Sequence, residues 1–462
     1  LEFSKDIFRE INMERRETVK SSVDEFDHVH AETIVDGMPK WADRELSSEF
    51  VEAVQKRPGI DKPFLIITLV LLTIGLIMVL SASFASANYM TGEPLRFFLR
   101  QLAFAAMGVA VMLLVSRISV RTMSRWSTHL LFVSTILLIL VLIIGIRVNG
   151  ATRWLGVGGE YTIFSFQPSE IAKLAVILAF AQMICKFGRT KMKRFKHGVL
   201  PFCTISAVLV LLLLEQPHVS AAIIILAITA IMMFAGGTRV AYFLALAILA
   251  VVAISVIMIP NLISSAREGG VQGVAEQVET TEVDFGRLGH AGRRLDSWLD
   301  PDADPLGGGF QIRQSLNAIG SGGLLGQGLG QSRQKHMYLP EEHNDFIFAI
   351  IAEELGFIGS MLILMLFALL VIRGYWLALH AKDRYSALVV IGISSLLAIQ
   401  VFLNVAVVTN LVPATGISLP LFSYGGTALL IQLVQMGIVL SVSREIPLVK
   451  QDESSNEQEI QA

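Results

Sequence analysis

Apolar runs recur along the chain, separated by polar stretches, and many approach the roughly 20 residues with which an α-helix crosses a bilayer. Ten spans are predicted: Phe64–Ala82, Phe97–Ser116, Leu130–Ile146, Ile171–Cys185, Leu200–Leu214, Val219–Phe234, Val240–Ile259, Phe346–Ile372, Ala387–Val408 and Leu419–Leu440. The fourth, fifth and sixth are short, so tilt or neighbouring protein must cover the mismatch. Only Glu215-Gln216-Pro217-His218 divides the fifth from the sixth. Read as a turn, it gives ten spans; read as a kink, it gives nine and puts the termini on opposite sides.

Basic residues decide between the two counts, because cytoplasmic loops carry the excess of Lys and Arg. Arg117, Arg121 and Arg125 follow span two, while Lys186, Arg189, Lys191, Lys193, Arg194 and Lys196 follow span four. Arg373, Lys382 and Arg384 follow span eight. Ten spans put all of these on the cytoplasmic side, together with both termini. The expected fold is therefore an all-α integral membrane bundle of ten transmembrane helices, with a large extracellular loop between helices 7 and 8. Residues 1–60 form a polar cytoplasmic arm, 61–445 the membrane domain and 446–462 a cytoplasmic tail.

Composition agrees. The 462 residues are 53% hydrophobic and 16% charged, with a mean hydropathy of +0.62, against about 25% charged in soluble domains. This excludes a disordered chain and argues against an ordinary soluble enzyme. A net charge of −2 predicts no nucleic-acid partner. Cys185 and Cys203 lie in apolar stretches without metal or redox spacing and read as inert core thiols. The first 60 residues carry 14 acids and 9 bases, as a solvated arm does. No signal-peptide pattern opens the chain.

The loop at 261–345 is where chemistry is expected, since loops longer than about 15 residues are uncommon and tend to be functional. Asn261–His290 reads as a solvated insert. Arg293-Arg294-Leu295-Asp296-Ser297-Trp298-Leu299-Asp300-Pro301-Asp302-Ala303-Asp304-Pro305 sets four carboxylates beside paired arginines. Asx turns alone would explain it; so would a carboxylate held rigidly at the membrane surface near cations. Ile319–Gly330 is glycine-rich but lacks the Lys-Ser/Thr ending of a phosphate loop. Within the spans, Glu170 and Lys173 share a helix face, as a structural clamp or as a site. Arg100 is either a snorkelling cation or a phosphate contact. Glu353 and Glu354 read as polar bracing, with Gly356 and Gly359 admitting a neighbouring helix.

Several segments, in this order, resemble the SEDS (shape, elongation, division and sporulation) family. They are Arg153-Trp154, Phe166-Gln167-Pro168-Ser169-Glu170-Ile171-Ala172-Lys173, Asp304-Pro305-Leu306-Gly307, the glycine-rich run, Leu339-Pro340-Glu341 with Asp345-Phe346-Ile347-Phe348, Glu353-Glu354-Leu355-Gly356 and Pro420-Leu421-Phe422-Ser423-Tyr424-Gly425-Gly426. The resemblance covers about Pro63 to Glu445. Gln331-Ser332-Arg333-Gln334-Lys335 is closer to the FtsW/SpoVE branch than to RodA. Where the family often has Gln-Pro-Asp, this chain has Gln216-Pro217-His218, so no acid role carries over there.

The resemblance implies a peptidoglycan glycosyltransferase that polymerises lipid II at the outer face of the cytoplasmic membrane. It implies a septal role in cell division, a class B penicillin-binding protein and divisome proteins as partners, a divalent cation (Mg or Mn), and no organic cofactor. It selects Asp304 as catalytic base; from spacing alone Asp296, Asp300 and Asp302 are equal candidates. Arg100, Arg153, Glu170, Lys173, Arg293, Arg294 and Lys335 are the expected substrate-binding residues, with metal ligands unassigned. The alternatives are a lipid II flippase, a RodA-like elongation or SpoVE-like sporulation polymerase, and a scaffold without activity.

Overall fold

The computed structural model describes residues 59–148, 151–157, 164–245, 298 and 308–446. Its helices are α1 (Lys62–Thr91), α2 (Arg96–Val115), α3 (Val120–Ile144), α4 (Pro168–Met192), α5 (Phe195–Gly198), α6 (Leu200–Glu215), α7 (Val219–Ala235), α8 (Gly308–Gly322), α9 (Ile347–Leu379), α10 (Arg384–Val408) and α11 (Gly426–Ser443). Eight helical segments are long and apolar enough to cross a membrane, α5 and α6 counting as one, and α7 is a shorter apolar helix. The protein is a multi-pass membrane protein. The seventh expected span is helical over 240–245; the rest of it lies outside the described residues.

Local chemistry sets the helix ends. Asp61 caps α1, its carboxylate accepting from Phe64 N at 2.9 Å, and Asp383 caps α10 by accepting from Ser386 N at 2.9 Å. These side chains satisfy amides that a helix start leaves without partners. Gly92 ends α1 in the left-handed region, its N–H donating to Asn88 O. Helices α4, α10 and α11 are the most enclosed, whereas α2 and α3 expose most of their apolar surface. That division suits a bundle whose outer helices face lipid. At Gly437 of α11 an added Cβ would lie 2.6 Å from Met112 O of α2, so a glycine sets how closely this pair packs.

Four expectations need correction. The chain is not all-α: β1 (Ile146–Val148), β2 (Ala151–Val157) and β3 (Phe164–Phe166) form an antiparallel sheet in the order β1-β2-β3. Its β-branched and aromatic residues suit a pleated surface, and Ile146, expected in span three, is a strand residue. Span four is no short helix, because polar ends extend its apolar stretch to Pro168–Met192. The tenth helix begins at Gly426, so Leu419–Gly425 is a turn. Finally, α9 is interrupted at Gly356, with φ 69° and ψ −171°, and a loop rather than a helix approaches there.

Helices joined by short turns alternate in direction, which gives the bundle two ends. The basic end holds Arg117, Lys186–Lys196, Lys382 and Arg384. There Asp61 pairs with Arg373 through Oδ1–Nε at 3.2 Å and Oδ2–Nη2 at 2.6 Å. The opposite end carries the sheet, the Gln216–His218 turn, and the segments 308–346 and 409–425.

Candidate functional site

Three polar groups gather at that opposite end. The first surrounds the start of α4. Pro168 occupies the first turn, where its missing N–H is harmless, and Glu170 follows in the same turn, where the helix dipole favours an anion. Lys173 Nζ donates to Glu170 Oε1 at 2.7 Å. Both residues are buried, at 2% and 7% exposure. Among the described residues Glu170 Oε2 has no hydrogen-bond partner. A buried carboxylate oxygen left in this way is costly and is available to a ligand hydroxyl.

Arg153 reaches the same region from β2. Ile146 pairs with Trp154 and Arg147 with Thr152, so Arg153 is the extra residue of a β-bulge, a device that re-aims a side chain. Its guanidinium donates to Pro217 O. His218, 6% exposed, lies beside Gln167, their Nε2 atoms 3.3 Å apart. The sheet, the 216–218 turn and the start of α4 are thus linked through side chains.

The second group joins α1, α2 and the segments before α9 and α11. His343 stacks on Phe97 with ring centroids 5.2 Å apart and meets Tyr424 edge-on at 5.7 Å. His343 Nδ1 is 3.4 Å from Glu342 Oε1, and Ser86 donates to the same oxygen. Gln101 fixes the turn before α11: its Nε2 donates to Ser423 O at 3.1 Å and its Oε1 accepts from Gly425 N at 3.2 Å. Arg100 hydrogen-bonds Tyr424. Burial raises the Tyr424 phenol above its ordinary range, and the Arg100 guanidinium opposes that.

The third group is closed. Lys335 Nζ donates to Glu354 Oε1 at 2.9 Å, and the Ser81 hydroxyl bonds both oxygens of that carboxylate at 2.7 Å. Glu353 accepts from Ser332 Oγ and from Arg333 N. The two glutamates are polar bracing, as their sequence suggests, and Lys335 is tied into that bracing.

Arg153, Glu170 and Lys173 therefore share one neighbourhood, Arg100 belongs to a second and Lys335 to a third. Asp304, Arg293 and Arg294 lie outside the described residues, as do Asp296, Asp300 and Asp302. Described residues flanking Asp304 are anchored: Trp298 Nε1 donates to Asn410 O at 3.0 Å and Ser315 Oγ to Val408 O at 2.8 Å, both at the end of α10. Among the described residues no three His, Cys, Asp or Glu side chains come together as metal ligands. Sequence reasoning assigns no role to Glu342 or His343; the available signal was two adjacent titratable residues ahead of span eight.

The family model for cell cycle proteins that covers FtsW, RodA and SpoVE matches residues 62–447. This chain belongs to that family. Stage V sporulation protein E of Bacillus subtilis is 42% identical over 391 residues, covering 84% of this chain and 98% of the relative. A probable peptidoglycan glycosyltransferase FtsW of Trichlorobacter lovleyi is 39% identical over 390 residues, 84% of this chain and 94% of the relative. Two solved structures share the fold. One, described as showing structural coordination of polymerization and crosslinking by a peptidoglycan synthase complex, has a TM-score of 0.64 at 26% identity, covering 85% of this chain and 99% of its own. The other, the rod shape determining protein RodA of Thermus thermophilus, has a TM-score of 0.57 at 26% identity, covering 85% and 98%. These FtsW/RodA/SpoVE relatives span nearly the whole membrane unit, from α1 to α11.

Proposed function

We propose that this chain is a peptidoglycan glycosyltransferase that polymerises lipid II into glycan strands at the outer face of the bacterial cytoplasmic membrane. One observation carries the reading within the structure: a buried carboxylate–ammonium pair, Glu170–Lys173, with an open oxygen at the end of the bundle that also gathers Arg153, Arg100 and His343. The relatives that bear the glycosyltransferase name support it.

The finer topology belongs to this reading. Ten spans put both termini and the basic end in the cytoplasm, with the 261–345 loop outside between the seventh and eighth spans. Asp304 is the base. It takes the proton from the acceptor GlcNAc hydroxyl, whose oxygen attacks the donor's anomeric carbon. The bond from that carbon to the diphosphate oxygen breaks, and the α-linked donor becomes a β-linked product by inversion. Arg100, Arg153, Lys173, Arg293 and Arg294 offer cations to the diphosphate, and Lys335 braces from its pair with Glu354. A divalent cation, Mg or Mn, is part of the proposal. The described residues supply no cluster of three His, Cys, Asp or Glu side chains to hold it. A septal role, a class B penicillin-binding protein and divisome partners are part of the proposal and rest on the resemblance to the FtsW/SpoVE branch, with elongation or sporulation as the competing processes.

A flippase needs polar residues through both leaflets. Every Asp, Glu, Lys and Arg of the described spans lies within about two turns of a helix end, which favours the polymerase. The test is purified protein with labelled lipid II, scored for glycan chains and separately for translocation in sealed vesicles. Chains without translocation support the proposal; translocation without chains overturns it.

A further inference from the structure

Helix α9 breaks at Gly356, and another part of the chain completes it. Phe357 and Ile358 cannot donate to Glu353 and Glu354 across the break. Phe357 N donates instead to Gly323 O at 2.9 Å, and Ile358 N to Leu324 O at 3.2 Å. The two released carbonyls accept from the same loop, Glu353 O from Gln327 N at 2.9 Å and Glu354 O from Gly328 N at 3.0 Å. All four backbone groups freed by the break are satisfied again. A helix break at membrane depth is tolerated where neighbouring protein re-satisfies the freed groups in this way.

The loop's composition points the same way. No charged residue occurs from Gln314 to Ser332, in a connection otherwise dense in charge. Leu324, Leu325 and Leu329 are 69%, 81% and 54% exposed on the protein surface. Leu324 and Leu325 lie beside the break in α9, next to Phe357 and Ile358, also exposed, which begin the apolar stripe continued by Met361, Met365, Leu369 and Ile372 along α9. Depth is consistent too. Seventeen residues separate Gly356 from Arg373, which with Asp61 marks the basic rim. At ~1.5 Å per residue that is about 25 Å, within a hydrocarbon core of about 30 Å. Of the two carboxylates at this level, Glu354 is paired with Lys335 and Glu353 accepts from hydroxyl and amide donors, so neither faces lipid unpartnered.

We propose that residues 322–330 form a membrane-inserted loop tip. Leu324, Leu325 and Leu329 lie among lipid acyl chains of the leaflet at the site end. They anchor there the connection that carries Asp304. The occupant of this surface is bilayer lipid, and the inference stands independently of the enzymatic reading.

The experiment uses the full chain in lipid nanodiscs, with Cys185 and Cys203 replaced by serine. Single cysteines are placed at Leu325 and Leu329, at Met361 as a lipid-facing reference and at His336 as an aqueous one. Leu325→Cys and Leu329→Cys should react with a membrane-impermeant maleimide at least about tenfold more slowly than His336→Cys, as burial below the headgroups requires. A fluorophore at either loop position should be quenched by doxyl-labelled lipid as strongly as one at Met361, and only weakly by iodide. Labelling as fast as His336→Cys overturns the proposal. Protection from both quenchers also overturns it, because protein rather than lipid then covers the tip.

Discussion

Lys335 Nζ lies 2.9 Å from Glu354 Oε1, with the Ser81 hydroxyl closing the third side. Both charged residues are nearly fully buried. Removing one partner leaves the other charge uncompensated, which costs about 3–5 kcal/mol. Lys335→Met and Glu354→Gln should each lower the melting temperature markedly in detergent. The double variant should regain most of the loss, because no lone charge remains. If the single changes leave the melting temperature unmoved, the pair does not brace the bundle.

Gly356 and Gly188 have nearly the same backbone, φ 69° with ψ −171° and φ 69° with ψ 170°. They differ in surroundings. A Cβ at Gly356 would sit 2.3 Å from Gly326 N, whereas nothing lies within 4 Å at Gly188. Gly188→Ala should cost only the backbone strain, about 1–3 kcal/mol. Gly356→Ala should cost that plus the broken loop seam and give little folded protein on size exclusion. Equal behaviour of the two would show that the steric contact with Gly326 is unimportant.

The Glu170–Lys173 pair separates clamp from site. If Lys173 also stabilises charge on the departing diphosphate, Lys173→Met should reduce glycan synthesis by about a hundredfold or more, the range for losing one preorganised electrostatic group. Lys173→Arg, which keeps the charge, should recover part of it. A pure clamp predicts instead that activity falls only as far as the folded fraction measured on the same sample.

Asp304→Asn removes a basic carboxylate at nearly constant volume. Polymerisation should fall by at least about a hundredfold, the low end for a lost general base, with lipid II binding and folding retained. Asp300→Asn and Asp302→Asn should cost much less. Retained synthesis by the Asp304 variant removes the base assignment, and equal loss in all three points to a shared metal site or a misfolded loop.

Topology has its own check. A reporter fused after Lys196 should read cytoplasm, and one within 268–282 should read outside. A common side for both is incompatible with ten spans.

Much of this architecture is legible in the sequence. Apolar length reveals nine of the ten expected spans as helices and the seventh as a helix start among the described residues, and the polar Glu215–His218 turn separates α6 from α7 as expected. Misses occur where tertiary contact decides. Helix ends run past the apolar stretch, as at Lys62 and Met192, because capping and interfacial side chains tolerate polar residues there. The small sheet is hidden because Ile146–Val157 reads as the fringe of a membrane span. Glu170 with Lys173 is visible from helical spacing alone. The stack of Phe97, His343 and Tyr424 is not, since its members come from three distant segments and no local period connects them.

Two ties join α1 and α9, Asp61 with Arg373 at the basic end and Ser81 with Glu354 toward the opposite end. Ser81 follows Asp61 by twenty positions and Arg373 follows Glu354 by nineteen, or about 30 Å at ~1.5 Å per residue. Sliding one helix past the other by a turn would break both ties together. The pair therefore acts as a strut of fixed length. A bilayer thicker or thinner than that length must be met by tilting the whole bundle or by deforming the surrounding lipid, so this enzyme should sense acyl-chain length through its orientation in the membrane rather than through internal rearrangement.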